Sequence, residues 1–153
     1  MKSKRRCSRL QVLALTFVGL FYCLQAVAAG YTIVNLGTLG GSSSAAEGIN
    51  INGYVVGNSF VAADTTTHAF LYGNGEMIDI GTLGGTFGEA YSINSNGWVV
   101  GLSSTASNAA HAFVYSNGVM NDLGTLGGTS SGAQGINNNG QVVGSSYLAG
   151  DVI

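Results

Sequence analysis

Two histidines recur with an aspartate at a fixed distance, and these side chains have the clearest potential for chemistry in the sequence. Asp79 follows His68 by eleven residues, and Asp122 follows His111 by the same eleven. A zinc site uses roughly three or four protein ligands, whereas each copy supplies one histidine and one nearby carboxylate. Because a catalytic residue seldom recurs in every copy of a repeat, we expect structural pairs, in which a buried, hydrogen-bonded histidine ties neighbouring strands together.

The other acids and the glycine-rich motifs do not indicate a cofactor. Calcium sites gather about six to eight oxygens, usually from closely spaced acids, but no two acids here lie within two residues of each other. The recurring Gly-Thr-Leu-Gly-Gly has the glycines of a phosphate-binding loop, yet no lysine follows it and no helix is expected after it. It is better explained as a tight turn between units. We therefore expect no metal, no cofactor and no enzymatic activity.

The elements that carry these residues belong to one internal repeat. Gly-Thr-Leu-Gly-Gly occurs at 37–41, 81–85 and 124–128. Ile-Asn, Val-Val-Gly and His-Ala-Phe recur in step with it, at spacings of 44 or 43 residues. A fixed period shared by four markers is the signature of a repeat architecture.

Each unit is predicted to contain four short strands. In the first unit they cover 45–49, 54–60, 68–72 and 76–80. Asn-Gly recurs between the apolar runs, and this dipeptide suits the positive φ angles of type I′ hairpin turns. Each unit should therefore be an antiparallel meander made of two hairpins.

The turn at 74–75 fixes the register of the two strands that it joins. It places Phe70 opposite Asp79 and, by the same count, His68 opposite Gly81. Each histidine should therefore lie near the Asp-x-Gly stretch of the neighbouring strand.

Four-stranded repeats of this length are typical of β-propeller blades. A β-solenoid is the alternative, although solenoid coils are usually shorter and lack paired hairpin turns. We expect an all-β fold of propeller-like meanders within residues 30–153. About two and three-quarter units are present, fewer than the roughly four or more blades of a typical propeller. The sequence is then either a truncated part of a longer propeller or a chain that completes a ring by self-association through open edge strands.

Three side chains depart from the repeat consensus and mark a candidate ligand patch. They are Phe87, Glu89 and Trp98, and Trp98 stands where the other units have Tyr54 and Gln141. A glycan site would need aromatic or acidic residues that break the consensus at one rim. A carbohydrate-binding or carbohydrate-active propeller is therefore the alternative to a binding or scaffolding protein.

The first 29 residues predict an export signal. All five basic residues lie within 1–9, an apolar core spans Leu10–Leu24, and small residues follow at 26–30. The core of about 15 residues is shorter than the roughly 20 that a membrane span needs. We expect cleavage after Ala28 or Ala29, and a retained N-terminal anchor is the alternative.

Cleavage would leave a mature chain with seven carboxylates and with no lysine, arginine or cysteine. Phosphate recognition depends on lysine and arginine, so we expect neither nucleic acid nor an anionic membrane surface as a partner. No disulfide could form, so strand pairing and core packing must stabilise the fold. The expected location is extracellular or periplasmic.

The combined motif resembles the bacterial extracellular HAF-repeat family. It matches at His68–Phe70 with Asp79–Gly85, and again at His111–Phe113 with Asp122–Gly128. The resemblance covers essentially the whole mature chain and implies a secreted or surface protein of Gram-negative-type bacteria, without implying an activity. The first unit departs from the pattern, with Val34-Asn35-Leu36 where Asp-Leu or Asp-Ile is expected. We therefore expect a secreted, non-enzymatic β-repeat protein.

Overall fold

The computed structural model describes residues 27–28 and 30–151, and its regular structure is almost entirely β-strand. The described residues contain no α-helix, and a 3₁₀ turn covers Ala62–Asp64. The all-β class expected from the repeat is therefore confirmed. The predicted signal peptide at 1–29 lies outside the described residues apart from Val27 and Ala28.

The described residues fall into two units, one that ends at Asn35 and one that begins at Leu36. In the first unit, strand β1 (Val27–Ala28) pairs antiparallel with strand β2 (Tyr31–Thr32). The second unit contains the repeats and is described from here on.

Three repeats follow one another in the second unit. Repeat 1 contains β3 (Gly40–Ile49), β4 (Val55–Val61), β5 (Thr67–Gly73) and β6 (Glu76–Gly81). Repeat 2 contains β7 (Gly84–Ile93), β8 (Val99–Thr105), β9 (Ala110–Ser116) and β10 (Val119–Gly124). Repeat 3 contains β11 (Gly127–Ile136) and β12 (Val142–Leu148) within the described residues.

Repeats 1 and 2 are antiparallel meanders of four strands, as the sequence predicts. Their strands pair in chain order, β3-β4-β5-β6 and β7-β8-β9-β10. β11 and β12 pair as the hairpin that corresponds to the first two strands of the other repeats. A parallel bridge between Thr67 of β5 and Phe87 of β7 joins repeats 1 and 2 into a mixed sheet. That sheet does not close on itself in the described part of the chain.

The first strand of each repeat begins earlier than predicted, because the last two glycines of Gly-Thr-Leu-Gly-Gly belong to it. β3 begins at Gly40 rather than at Ala45, and Gly40 pairs with Val61. The Thr38 hydroxyl accepts the Gly40 amide at 3.2 Å and donates to the Gly41 carbonyl at 2.9 Å. The interpretation of the motif as a turn is therefore wrong for its last two glycines, which belong to the strand.

The Asn-Gly dipeptides make two kinds of turn. Asn74-Gly75 has φ angles of 54° and 85°, and Asn117-Gly118 has 52° and 82°, as a type I′ turn requires. At 52–53, 96–97 and 139–140 only the glycine has a positive φ. The hairpins are present at all five sites, but the type I′ prediction is wrong at these three.

The three exceptional turns are three-residue loops closed by the asparagine that precedes them. In repeat 2 the Asn94 amide donates to the Trp98 carbonyl, and the Gly97 amide donates to the Asn94 carbonyl. The Asn94 side-chain oxygen accepts the amides of Asn96 and Trp98, each at 3.0 Å. This side-chain bonding stabilises a type I turn followed by a left-handed glycine, so Asn96 needs no positive φ.

The core lies between neighbouring repeats as well as within them. Phe70 of β5 and Phe113 of β9 occupy equivalent positions, and both are fully buried. β7 packs against β3, β4 and β5, and β11 packs against β7, β8 and β9. The buried apolar residues therefore form clusters that span adjacent repeats, as is usual when a repeat cannot bury its apolar face alone.

Candidate functional site

Each recurring histidine lies against its aspartate on the outermost pair of strands. Nδ1 of His68 is 2.9 Å from both carboxylate oxygens of Asp79. Phe70 lies opposite Asp79 as predicted, but Ala69 rather than His68 lies opposite Gly81. The predicted register is wrong there because a β-bulge gives β6 one extra residue at this point.

The second pair repeats this arrangement. Nδ1 of His111 lies 3.0 Å and 2.8 Å from the two Asp122 carboxylate oxygens, and the Gly124 amide donates to Asp122 at 2.7 Å. Burial acts to raise the pKa of Asp122, but the hydrogen bonds from His111 and Gly124, with the charge of His111, outweigh burial and lower that pKa. Asp122 is therefore held in its ionised form against the histidine.

The pairs are more exposed than the sequence predicts. The side chains of His68 and His111 are 25 % and 21 % exposed, and those of Asp79 and Asp122 are 44 % and 40 % exposed. The prediction of buried histidines is corrected to half-buried ones. The reason is that β6 and β10 pair with one strand each among the described residues, so the outer side of each pair faces solvent.

The serine opposite His111 bonds to the backbone and not to the ring. Ser103 faces His111 in the ladder between β8 and β9. Its hydroxyl accepts the Leu83 amide at 2.8 Å and donates to the Phe87 carbonyl at 3.0 Å, and the side chain is fully buried. A nucleophile–base pair requires the hydroxyl to bond to the base. Ser103 therefore joins strands rather than serving as a nucleophile.

Residues 128–132 read Gly-Thr-Ser-Ser-Gly, which matches the letters of the hydrolase nucleophile elbow. In that elbow the serine lies on a sharp turn between a strand and a helix. Here the whole stretch lies inside β11. Its middle residue, Ser130, is therefore on an extended strand, without the turn that would present a nucleophile.

The three candidate ligand residues do not form one patch. Phe87 lies near the end of the β7–β8 hairpin where Gly84 pairs with Thr105, whereas Trp98 lies in the turn at the other end. About six ladder positions separate them, or roughly 20 Å at the rise of a β-strand. Glu89 lies between them on β7. The structure therefore separates Trp98 from Phe87.

Glu89 forms a polar cluster with two residues that the sequence did not single out. Its carboxylate oxygens accept Nδ2 of Asn58 at 2.7 Å and the hydroxyl of Tyr91 at 2.9 Å. Burial, the hydrogen bond to Glu89 and the charges of Glu89 and Glu47 raise the pKa of Tyr91 to about 12. The Tyr91 phenol therefore remains a donor at neutral pH, at the contact between repeats 1 and 2.

A groove beside this cluster is lined in part by residues that differ between repeats. It has a volume of about 280 Å³, and Tyr91, Gln134 and Tyr147 contribute to its wall. Glu47, Tyr91 and Gln134 occupy the same repeat position, at spacings of 44 and 43 residues. Positions that build the repeat keep their residue type, so a variable position on an open groove is free to contact a ligand. The signal of this groove in the sequence is the difference between Glu47, Tyr91 and Gln134 at one repeat position.

Asparagine side chains join the turns of successive repeats, a contact that was not predicted. Nδ2 of Asn50 donates to the Asn94 carbonyl at 2.9 Å, and Nδ2 of Asn94 donates to the Asn137 carbonyl at 3.0 Å. A parallel row begins with Nδ2 of Asn52, which donates to the Ser95 carbonyl at 3.0 Å. We call Asn50, Asn94 and Asn137 the asparagine ladder. Its three asparagines are those of the recurring Ile-Asn motif in the sequence.

No protein-family model matches the chain, and no curated protein or solved structure shows significant similarity to it. Among the described residues, no group of three or more His, Cys, Asp or Glu side chains is placed to hold a metal ion. The same part of the chain contains no helix that is long and apolar enough to cross a membrane.

Proposed function

We propose that this chain is an exported, non-enzymatic β-repeat protein that acts by binding or scaffolding outside the cytoplasm. Its repeats would form part of a propeller-like array of the kind that the resemblance to the HAF-repeat family implies. The proposal draws on the apolar N-terminal segment for export and on the repeated geometry of the second unit for the role.

The observation that carries the proposed role is that the recurring polar side chains are bonded to the protein itself. The His–Asp pair occurs twice with the same geometry, and both copies join outer strands. The asparagine ladder joins turns, and buried Ser59 and Ser103 accept the amides of Leu39 and Leu83. A residue type that recurs in order to hold the repeat together supports a scaffold better than it supports a reaction centre.

The packing of the repeats supports a propeller-like array. The first strand of each repeat, β7 or β11, packs across the strands of the preceding meander. The first strands β3, β7 and β11 also contact one another in sequence. In a propeller, successive four-stranded sheets are arranged around a central channel. A row of first strands in mutual contact is consistent with that arrangement.

The groove at Tyr91 supports carbohydrate binding as the second candidate. It combines an aromatic ring and a carboxamide, at Tyr91 and Gln134, and Glu89 binds the Tyr91 hydroxyl beside it. An aromatic body with a polar tip can offer both an apolar face and a hydrogen bond to a ligand. We therefore move the candidate glycan site from the Phe87, Glu89 and Trp98 patch to this groove.

Export is tested by charging the apolar core of the N-terminal segment. Leu15→Arg should keep the protein in the cytoplasm at full length, because an arginine in the centre of an apolar segment costs about 2.5–3.5 kcal/mol on insertion scales. The unaltered chain should be found outside the cytoplasm and should begin at Ala29 or Gly30, as shown by fractionation and intact mass. Val119→Arg, on an exposed position of β10, should be exported normally. Export of the Leu15 variant, or an exported protein that keeps its first 28 residues, would contradict the proposal.

The glycan candidate is tested with a glycan array and two substitutions. Glu89→Gln changes the acceptor of the Tyr91 hydroxyl and should weaken glycan binding at least about tenfold, which corresponds to roughly 1.4 kcal/mol. Trp98→Phe lies at the far end of the hairpin and should bind as the unaltered protein does. If no glycan binds the unaltered protein, the carbohydrate role is rejected and the scaffold role remains.

A further inference from the structure

Repeat 2 buries three apolar residues against repeat 1. In repeat 2 these residues are Ala90, Ile93 and Val99, which are 0 %, 7 % and 0 % exposed. They pack in one cluster with Val56 of repeat 1, which is fully buried. We call the three residues the insertion triad and the valine the receiving valine.

The same interface recurs one step along the chain. The receiving valine of repeat 2 is Val100, which is fully buried. Its cluster includes buried Ala133, and the half-buried Ile136 and Val142 pack against that cluster. These three residues form the insertion triad of repeat 3. The same four residue types therefore make the same contact twice, and both contacts exclude water from the receiving valine.

Among the described residues, both halves of this interface also occur without a partner. Val143, the receiving valine of repeat 3, is 67 % exposed, and Ile49 of the repeat 1 triad is 69 % exposed. Ala46 of that triad is exposed as well, and Val55 is half-buried. The two internal interfaces show which residues cover a receiving valine, and repeat 1 presents two of those three residues, Ala46 and Ile49, to solvent.

The asparagine ladder ends in the same two repeats, at Asn50 of repeat 1 and at Asn137 of repeat 3. Nδ2 of Asn137 donates to Gln141 of its own turn at 2.6 Å, whereas Asn50 and Asn94 donate to the next repeat. The Asn50 carbonyl accepts the Gly53 amide of its own turn at 3.0 Å. A carbonyl oxygen can accept a second hydrogen bond. A ladder donor and a ladder acceptor therefore accompany the two unmatched apolar surfaces.

We propose that copies of this chain dock head to tail, with Ala46, Ile49 and Val55 of one copy covering Val143 of the next. The contact would reproduce the internal interface, including a hydrogen bond from Asn137 to the Asn50 carbonyl of the second copy. It differs from pairing of edge strands, because it uses the faces of the sheets. The two copies contribute different surfaces, so the contact is heterologous and further copies can add until a ring closes.

The docked contact should be weaker than the internal one. β11 and β12 are the counterparts of β3 and β4, both of which contact the following repeat. The counterpart of β5, the third strand of that internal contact, is not among the described residues. Small interfaces generally belong to transient complexes. We therefore expect an association that is reversible and depends on concentration.

Sedimentation velocity of the protein expressed from its whole reading frame, over a concentration series, tests this proposal. The sedimentation coefficient of the unaltered protein should rise with concentration. Ile49→Asp and Val143→Asp should each abolish that rise, because each would bury an unpaired carboxylate in the docked contact. Each variant keeps one intact surface, so an equimolar mixture should form a complex of two chains that does not grow further.

Matched controls separate this contact from a general effect of charge. Ile78→Asp on β6 and Val119→Asp on β10 alter positions that are 44 % and 56 % exposed, and both variants should associate as the unaltered protein does. The proposal is overturned if the unaltered protein stays monomeric at every concentration, even if another part of its own chain covers Val143. Association of the Ile49→Asp or the Val143→Asp variant at the level of the unaltered protein also overturns the proposal. So does a mixture that forms no complex, since this would indicate a symmetric contact. These outcomes are independent of export and of glycan binding.

Discussion

At the scale of single residues, the aspartates of the recurring pairs stabilise the ends of the outer strands. Asp79 accepts the ring of His68 from the adjacent strand and the Gly81 amide, two residues further on, at 2.8 Å. Asp122 does the same with His111 and Gly124. A carboxylate that receives two donors at a bulge compensates for ladder hydrogen bonds that the bulge disrupts. Each His–Asp pair therefore replaces regular ladder pairing at the bulge, where the register of β5–β6 or of β9–β10 shifts.

Asp122→Asn should lower the free energy of unfolding at neutral pH by about 1 kcal/mol, because charged hydrogen bonds become neutral ones. The expected loss is this small because the carboxylate is 40 % exposed and solvent screens it. The folded-state pKa of Asp122 is lowered, so its stabilisation is present above the unfolded-state pKa and is lost as pH falls through the folded-state pKa. Urea unfolding at several pH values should show the difference from the unaltered protein at neutrality and its decline below about pH 4.

Glu76→Gln provides the control for this pH dependence. Glu76 is an exposed carboxylate at the start of β6, and the structure shows no hydrogen bond to it among the described residues. Its substitution should change the unfolding free energy little at any pH. A loss of equal size and pH dependence in both variants would show that overall charge, rather than the pair with His111, is responsible.

At the scale of elements, local pairing could be predicted from the sequence where a single turn determines it. Asn74-Gly75 alone predicts the β5–β6 hairpin and the pairing of Phe70 with Asp79, because a two-residue type I′ turn sets the register of both strands. The bulge beside that pair could not be predicted from the turn, since an extra residue on one strand changes the register without changing any turn residue. The predicted strand partner of Gly81 was wrong because of this bulge alone.

Contacts between elements that are distant in sequence could not be predicted from spacing. The glycine of the Val-Val-Gly marker recurs because a Cβ on Gly101 would overlap the Glu89 carbonyl oxygen. The sequence shows that glycine recurs there, but it does not show which backbone approaches so closely. The predicted patch of Phe87, Glu89 and Trp98 was wrong for the same reason, because spacing does not show which of these residues lie together in the fold. Departure from the consensus identified Glu89 and Trp98, and only the fold shows that Glu89 contacts Tyr91 while Trp98 lies in a distant turn.

At the scale of the second unit, identical repeat positions differ in energy because the repeats form a row. In a repeat protein, stability is approximately a sum of terms for each repeat and for each interface with a neighbour. Val56 and Val100 each lie under the insertion triad of the following repeat and are fully buried. Val143 has the same residue type at the same repeat position, but it lies on the last described repeat and is largely exposed. Position in the row, rather than the repeat motif, therefore determines what each valine contributes.

Replacing these valines one at a time with alanine measures that difference directly. Val56→Ala and Val100→Ala should each lower the free energy of unfolding by about 2 kcal/mol, from lost burial of two methyl groups and from the cavity left behind. Val143→Ala should change it by less than about 0.5 kcal/mol, as is usual for an exposed position. Urea unfolding at high dilution, where copies are separate, is the appropriate measurement. Equal losses at all three positions would contradict the argument, because they would mean that Val143 is as well covered within one chain as its two counterparts.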